Sequence, residues 1–251
     1  MSPVVWVTGG ANGIGLATAR AFGQRGYKVV ISDLELDSLQ SASDSLIAEG
    51  MTCLAIPCDV AQENDCIAAV RQIEASFGRL DCAVNNAGIS GGGPHRGRTA
   101  DYDVGMWHHV LNVNLTGVFF SARAQIPAVL RAGGGAIVNV SSIMGMAGTS
   151  EIPAYVAAKH GVLGLTKAIA DEYGAAGLRC NALAPGMIAT RLNKRFEEDG
   201  ALKEAALRRI PQGRFGRPEE IAEAIFWLCA PQASFVNGLC LTVDGGQLIR
   251  A

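Results

Sequence analysis

The chain has 251 residues, 49% of them hydrophobic, with 21 Lys and Arg against 23 Asp and Glu for a net charge of -2. That balance excludes disorder as the main state and lacks the excess positive charge of a nucleic-acid binder. No apolar run approaches the roughly 20 residues that span a bilayer, so a soluble, cytoplasmic protein without a membrane partner is expected.

In chain order, VVWVT (4–8) reads as a strand and the pattern over 13–25 as a helix, with TGGANGIG between them. Gly9 lets the chain turn tightly, Gly13 lets backbone N–H groups approach a pyrophosphate, and Gly15 lets helix and strand pack closely. The helix N-terminus adds an anion site, so this succession predicts a dinucleotide cradle that includes Asn12 and Ile14.

YKVVIS (27–32) is a second strand, ending at Asp33. A carboxylate there can accept hydrogen bonds from both adenine-ribose hydroxyls and would repel a 2′-phosphate. Neither Asn12 nor Leu34 offers the cation that a 2′-phosphate needs, so NAD is expected rather than NADP. The other reading of Asp33 is a cap for the helical pattern over 34–49. After a third strand, TCLAIP (52–57), comes CDV (58–60), in which Asp59, beside Val60, either contacts the adenine edge or serves the turn.

Helical patterns over 62–77, 104–131, 153–173 and 218–230 alternate with strands LDCAVN (80–85), GAIVNVS (135–141), LRCNAL (178–183) and LCLTV (239–243). Strands that read as continuous apolar runs are buried on both faces. The prediction is a Rossmann-like, doubly wound parallel α/β sheet of about seven strands, flanked by helices in three α/β/α layers. No linker divides it, so residues 1–251 are expected to be a single domain. Segments 89–103 and 186–216 follow strands, where ligands sit in open α/β sheets. The second, with a short helix or two, is expected to be a substrate lid, and a plain surface loop is the alternative.

Seven cysteines without a CxxC pair read as reduced thiols, mostly buried, and the four histidines have no ligand spacing; no metal is expected.

In EIPAYVAAKHGVLGL (151–165), Tyr155 and Lys159 lie four apart and so share one helix face. A free phenol ionises near pH 10, too high for a base at neutral pH, but an ammonium within about 4–6 Å and a positive nicotinamide ring both favour the phenolate. Tyr155 is then a proton acceptor from an alcohol, and the alternative is a satisfied tyrosine beside a snorkelling lysine. Ser142 ends the fifth strand, and its hydroxyl could hydrogen-bond a substrate oxygen. Strand alternation lets only one of Ser141 and Ser142 face the substrate.

Together, TGGANGIG, Asp33, CDV, NNAG (85–88), Asn114 in LNVNLTG, NVSS (139–142), YVAAK (155–159) and APG (184–186) resemble the compact short-chain dehydrogenase/reductase family over nearly the whole chain. The resemblance selects Ser142 over Ser141 and implies a catalytic set of Ser142, Tyr155, Lys159 and Asn114. Lys159 would also hold the nicotinamide ribose, and Asn114, at a helix irregularity, would hold a water that passes protons to Lys159. It further implies that Asn86, Ala87 and Gly88 line the adenine-ribose and phosphate side. Ile188 and Thr190, after Pro185 and Gly186, would hold the nicotinamide carboxamide.

An NAD-dependent oxidoreductase interconverting a secondary alcohol and a ketone is therefore expected. The alternatives are an NADPH-dependent 3-oxoacyl thioester reductase and a non-catalytic dinucleotide-sensing regulator. Ile143, Met144, Met146, Ile152, Met187, Leu192 and Phe196 suggest a largely apolar small-molecule substrate. The loop after Ile89 looks longer than is usual in compact family members. Arg96 and Arg98 in it, and Arg191, Lys194 and Arg195 opposite, either meet an anionic substrate or acyl carrier or are solvated surface charges. The helix from Ala154 to Ala170 is apolar or small nearly all round, so it needs cover from a partner subunit or from within the chain. The resemblance implies a homotetramer.

Overall fold

The computed structural model of the chain describes residues 2–91 and 95–250, and all side chains there except those of Lys194 and Glu197. The 92–94 part of the glycine-rich loop, and the Lys194 side chain, thus lie outside the described residues.

Strands β1 (Val4–Thr8), β2 (Lys28–Asp33), β3 (Cys53–Pro57), β4 (Cys82–Asn85), β5 (Gly135–Val140), β6 (Leu178–Pro185) and β7 (Cys240–Val243) form one sheet. Its order is β3-β2-β1-β4-β5-β6-β7, with every neighbouring pair parallel. The expected doubly wound α/β architecture is present, and strand bounds differ from the sequence reading by a residue or two.

Alternation along β1 shows why both faces are apolar. Val4 and Trp6 enter one core, under α3 (Glu63–Phe77), α5 (Gly117–Arg131) and α6 (Pro153–Tyr173). Val5 and Val7 enter the other, under α1 (Gly13–Gly23), α2 (Leu36–Ala48) and α9 (Pro218–Cys229). Each such side chain, fully removed from water, contributes about 1.5–3 kcal/mol. The one polar atom that Trp6 brings inside is satisfied, its Nε1 donating to Ser32 Oγ at 2.9 Å.

The chain winds outward from β1 to β3, then returns to place β4 on the other side of β1. Helix crossovers diverge at that switch point and leave a crevice beyond the strand ends. Register brings the polar ends together there: Thr8 pairs with Asn85, and Asn85 with Asn139.

The helix expected over 104–131 is instead two, α4 (Val104–Leu111) and α5, joined by one wide π turn at Asn112–Thr116. Asn114 in this turn exchanges two hydrogen bonds with the Ile89 backbone, 2.8 Å to its N–H and 2.7 Å to its carbonyl. Such a tie to a distant loop cannot be read from helical periodicity.

The 186–216 segment carries α7 (Lys194–Glu198) and α8 (Gly200–Arg208). Its two ends are pinned to each other, the Ala189 N–H donating to the Gly216 carbonyl at 2.9 Å and the Gly216 N–H to the Met187 carbonyl at 3.0 Å. All seven cysteines are free; five are buried, and Cys53 and Cys240 are half-buried. Among the described residues, no helix is long and apolar enough to cross a membrane.

Candidate active site

A cleft of about 1120 Å³ runs along the carboxyl ends of the strands, from Asp33 and Asp59 at one end to Phe196 and Arg209 at the other. At its acidic end the glycine turn takes left-handed backbone at Gly9 (φ 62°) and Gly13 (φ 53°), which side-chain-bearing residues rarely adopt. Gly9, Asn12, Gly13 and Ile14 line the cleft. Gly15 does not: a Cβ there would collide with the Gly9 carbonyl oxygen, so its task is to let α1 close onto β1.

The turn is stapled from the side. Asn86 Nδ2 donates to the carbonyls of Thr8 (3.1 Å) and Gly9 (3.0 Å), while Thr8 Oγ1 accepts from the N–H groups of Asn86 and Ala87, both at 3.1 Å. Asn86, Ala87 and Gly88 all border the cleft, yet the Asn86 amide works on the protein's own backbone. Asp33 faces the cleft with its oxygens accepting from the N–H groups of Ala11 (3.2 Å) and Leu34 (2.8 Å). It does not cap α2, whose N-cap is Glu35. Asp59 lines the cleft and also serves the turn, accepting from the Ala61 N–H at 2.9 Å; Val60 packs close to Gly117.

In mid-cleft, α6 and the end of β5 meet. Pro153 starts α6, where a missing N–H is harmless. Tyr155 and Lys159 then face the cleft one turn apart, with the Lys159 ammonium 5.6 Å from the centre of the Tyr155 ring. The two serines diverge as alternation requires: Ser141 Oγ donates to the Lys159 carbonyl at 2.9 Å. Ser142 Oγ accepts from the Met144 N–H at 3.1 Å and lies near enough to the Tyr155 hydroxyl to favour its ionisation.

Electrostatics differ from the sequence expectation. Burial pushes the Tyr155 phenol above its ordinary pKa of 10, and the nearby Ser142 hydroxyl only partly opposes this. Burial also pushes Lys159 down from 10.5 to about 8, while its ammonium donates to the Val140 carbonyl at 2.8 Å. The lysine therefore still carries its charge at neutral pH, but it does not by itself make the phenol acidic. Asn114 stands behind the cleft rather than in its wall, close to Gly88 and its side chain committed to Ile89.

On the far side, Pro185, Gly186, Ile188 and Thr190 border the cleft. Ile188 is buried and packs in the core, and the Thr190 methyl lies against Gly13. Ile143, Met144, Ile152, Met187, Leu192 and Phe196 line the apolar part, whereas Met146 is elsewhere, beside Cys240. Arg96 borders the cleft and pairs with Glu151 at 2.9 Å; Arg98 does not border it.

Three contributors were missed from sequence. Thr8 could have been suspected as a hydroxyl at the strand end beside the glycine turn. Gln247, whose Oε1 accepts from the Met187 N–H at 3.1 Å, had no local signal, since the contact joins residues sixty apart. Asn139 bonds both Asn85 (2.9 Å) and Thr166 (3.0 Å) and so ties α6 to the sheet; the sequence placed it in the NVSS motif but gave it no role.

A nicotinamide dinucleotide fits this channel. The missing Cβ of Gly9 lets Asn86 and Ala87 close on the glycine turn, the Asp33 carboxylate borders the cleft beside it, and the phenol, hydroxyl and ammonium meet in mid-cleft. A hydroxyl donor and a buried phenol beside a cation are a set that can exchange a proton with an alcohol or carbonyl oxygen.

A family model described as enoyl-(acyl carrier protein) reductase matches residues 9–247. Over 242 residues, 96% of this chain and 93% of the relative, the sequence is 43% identical to a cyclohexanol dehydrogenase of Acinetobacter sp. (strain SE19). It is 38% identical over 250 residues, 98% of each chain, to a 3-oxoacyl-(acyl-carrier-protein) reductase of Thermotoga maritima. A gluconate 5-dehydrogenase from Burkholderia cenocepacia J2315, solved in complex with NADP and tartrate, superposes with a TM-score of 0.92 at 33% identity, covering 98% of this chain and 96% of that one.

Proposed function

The chain belongs to the short-chain dehydrogenase/reductase family, and from that premise we propose that it is an NAD-dependent oxidoreductase interconverting a secondary alcohol and a ketone. The observation that carries the choice of cofactor is Asp33, turned to the cleft at the end of β2 and followed by Leu34 and Glu35 rather than by a cation. A 2′-phosphate placed beside it would meet a like charge with no guanidinium to offset it. A neighbour of the same fold binds NADP. The fold alone therefore does not choose, and the Asp33 carboxylate is what supports NAD.

Bound NAD+ supplies the hydride acceptor and a positive charge beside the phenol. Ser142 Oγ hydrogen-bonds the substrate oxygen, and Tyr155 Oη takes its proton in oxidation and returns it in reduction. The Lys159 ammonium favours the phenolate and holds the nicotinamide ribose. Asn114 fixes the wide turn that leaves backbone beside Lys159 for a water to relay the proton. Gly9, Asn12, Gly13 and Ile14 cradle the pyrophosphate, with Gly15 allowing the close packing. Asp33, Asp59 and Val60 take the adenosine, flanked by Asn86, Ala87 and Gly88. Pro185, Gly186, Ile188 and Thr190 hold the carboxamide.

Residues 186–216 act as a lid on one domain spanning 1–251, over a largely apolar substrate. Cyclohexanol, the substrate in the name of one relative, is a suitable first probe. A cytoplasmic homotetramer is the proposed setting; exposed Phe119 on α5 and Phe235 before β7 support further association.

Initial rates on a panel of secondary alcohols with NAD+ and NADP+ test this reading. Oxidation with at least about a tenfold kcat/KM preference for NAD+ is expected. A preference for NADPH with turnover of 3-oxoacyl thioesters would replace it with the reductase reading. Cofactor binding without turnover of any carbonyl or alcohol would favour the regulator.

A further inference from the structure

We infer that the substrate carries a carboxylate remote from its carbinol carbon, received by Arg195 and Arg209 at the outer end of the cleft; this rests on the secondary-alcohol reading of the same site. The cleft is electrically divided. Among the described residues, the only carboxylates that border it are Asp33 and Asp59, beside the glycine turn, whereas Arg191, Arg195 and Arg209 border it from the 186–216 segment.

Those three arginines are unlike most others in the chain. Arg20, Arg25, Arg79, Arg96, Arg131 and Arg214 each hold a carboxylate at 3 Å or closer. Among the described residues, no carboxylate pairs with Arg191, Arg195 or Arg209. Two acids of the same segment are engaged elsewhere: Asp199 caps α8 by accepting from the Ala201 and Leu202 N–H groups, and Glu204 pairs with Arg208.

Placement separates the three. Arg191 follows Thr190, whose methyl lies 3.3 Å from a Cβ position on Gly13, so it is nearest the diphosphate cradle and is left to the cofactor. Arg195 is farther along and is held over the Phe196 ring, 4.9 Å from its centre. Leu202, Ala205, Ala206 and Arg209, spaced as one helical face, border the cleft from α8 and the residue just past it. The lid side of the cleft is thus lined by apolar Met187, Leu192, Phe196, Leu202 and Ala206 together with two guanidinium groups, those of Arg195 and Arg209. An apolar ring or chain suits such a lining, and a carboxylate matches the planar donor fork of a guanidinium.

Calorimetric titration of the full-length protein loaded with NAD+, using cyclohexanecarboxylate and the isosteric neutral cyclohexanecarboxamide, tests this without requiring turnover. The carboxylate is expected to bind at least about tenfold more tightly. Arg195→Met and Arg209→Met should each shrink that ratio severalfold, whereas Arg71→Met, on α3 away from the cleft, should preserve it. Equal affinities, no carboxylate binding, or a ratio indifferent to both cleft variants would overturn the inference. Oxidation of neutral cyclohexanol with NAD+ is measured separately, so loss of carboxylate selectivity and failure of the alcohol dehydrogenase reading are told apart.

Discussion

The Lys159 ammonium stands 5.6 Å from the centre of the Tyr155 ring, within reach for electrostatic influence but beyond a hydrogen bond. Tyr155→Phe keeps the ring's packing and removes only the hydroxyl. Steady-state assays should find kcat lowered by about 10²–10⁴-fold, while calorimetry still detects NAD+ binding. Ser142→Ala, which removes a donor to the developing oxyanion, should lower kcat by about 10²-fold.

Lys159 is buried and pushed down from 10.5 to about 8, so holding its charge in the folded state costs on the order of 3 kcal/mol. Between about pH 8 and 10.5 the unfolded chain binds this proton more readily than the folded one, so this site's contribution to stability rises with pH across that window. Below pH 8 the cost is present in full. Lys159→Met removes it but also loses the bond to the Val140 carbonyl, worth about 1 kcal/mol. In urea titrations the variant should be more stable than wild type at pH 7 by about 1–2 kcal/mol, with the advantage gone near pH 10.5. A difference that stays constant with pH would show that the lysine is not desolvated.

Cofactor choice should follow charge at the end of β2. Asp33→Ser combined with Leu34→Arg exchanges a carboxylate for a guanidinium beside the adenosine ribose. The ratio of kcat/KM for NADP+ over NAD+ should rise by about 10²-fold or more, since repulsion is removed and a phosphate partner is added. An unchanged ratio would remove Asp33 from the recognition of the cofactor.

Thr8→Val keeps the shape of β1 but leaves the Asn86 and Ala87 N–H groups without their acceptor. Each unpaired buried donor costs about 1–3 kcal/mol, so thermal unfolding should show clear destabilisation. The KM for the cofactor should rise with it, because those bonds hold the glycine turn against β4.

The strands, the glycine turn and the opposite facing of Ser141 and Ser142 were legible in sequence because each depends on local geometry: a period of two in strands, 3.6 in helices, and positive φ at Gly9 and Gly13; which serine faces the cleft came from the family resemblance. The arginine pairings were not, nor was the Asn114 bond to Ile89, because they join parts of the chain that only the tertiary fold brings together. The burial of Tyr155 and Lys159 was not legible for a related reason. Sequence spacing shows a cation one helical turn away, but not the burial that raises the phenol's pKa and lowers the lysine's.

The most direct measurement is the ultraviolet difference spectrum of wild type minus Tyr155→Phe, titrated with pH in the absence and presence of NAD+. Without cofactor, the phenolate signal should be absent until beyond pH 10; with NAD+ bound, it should appear well below pH 10, in step with the rise in alcohol oxidation. A tyrosine that stays protonated past pH 10 with NAD+ bound, while oxidation proceeds at full rate, would contradict Tyr155 as the proton acceptor.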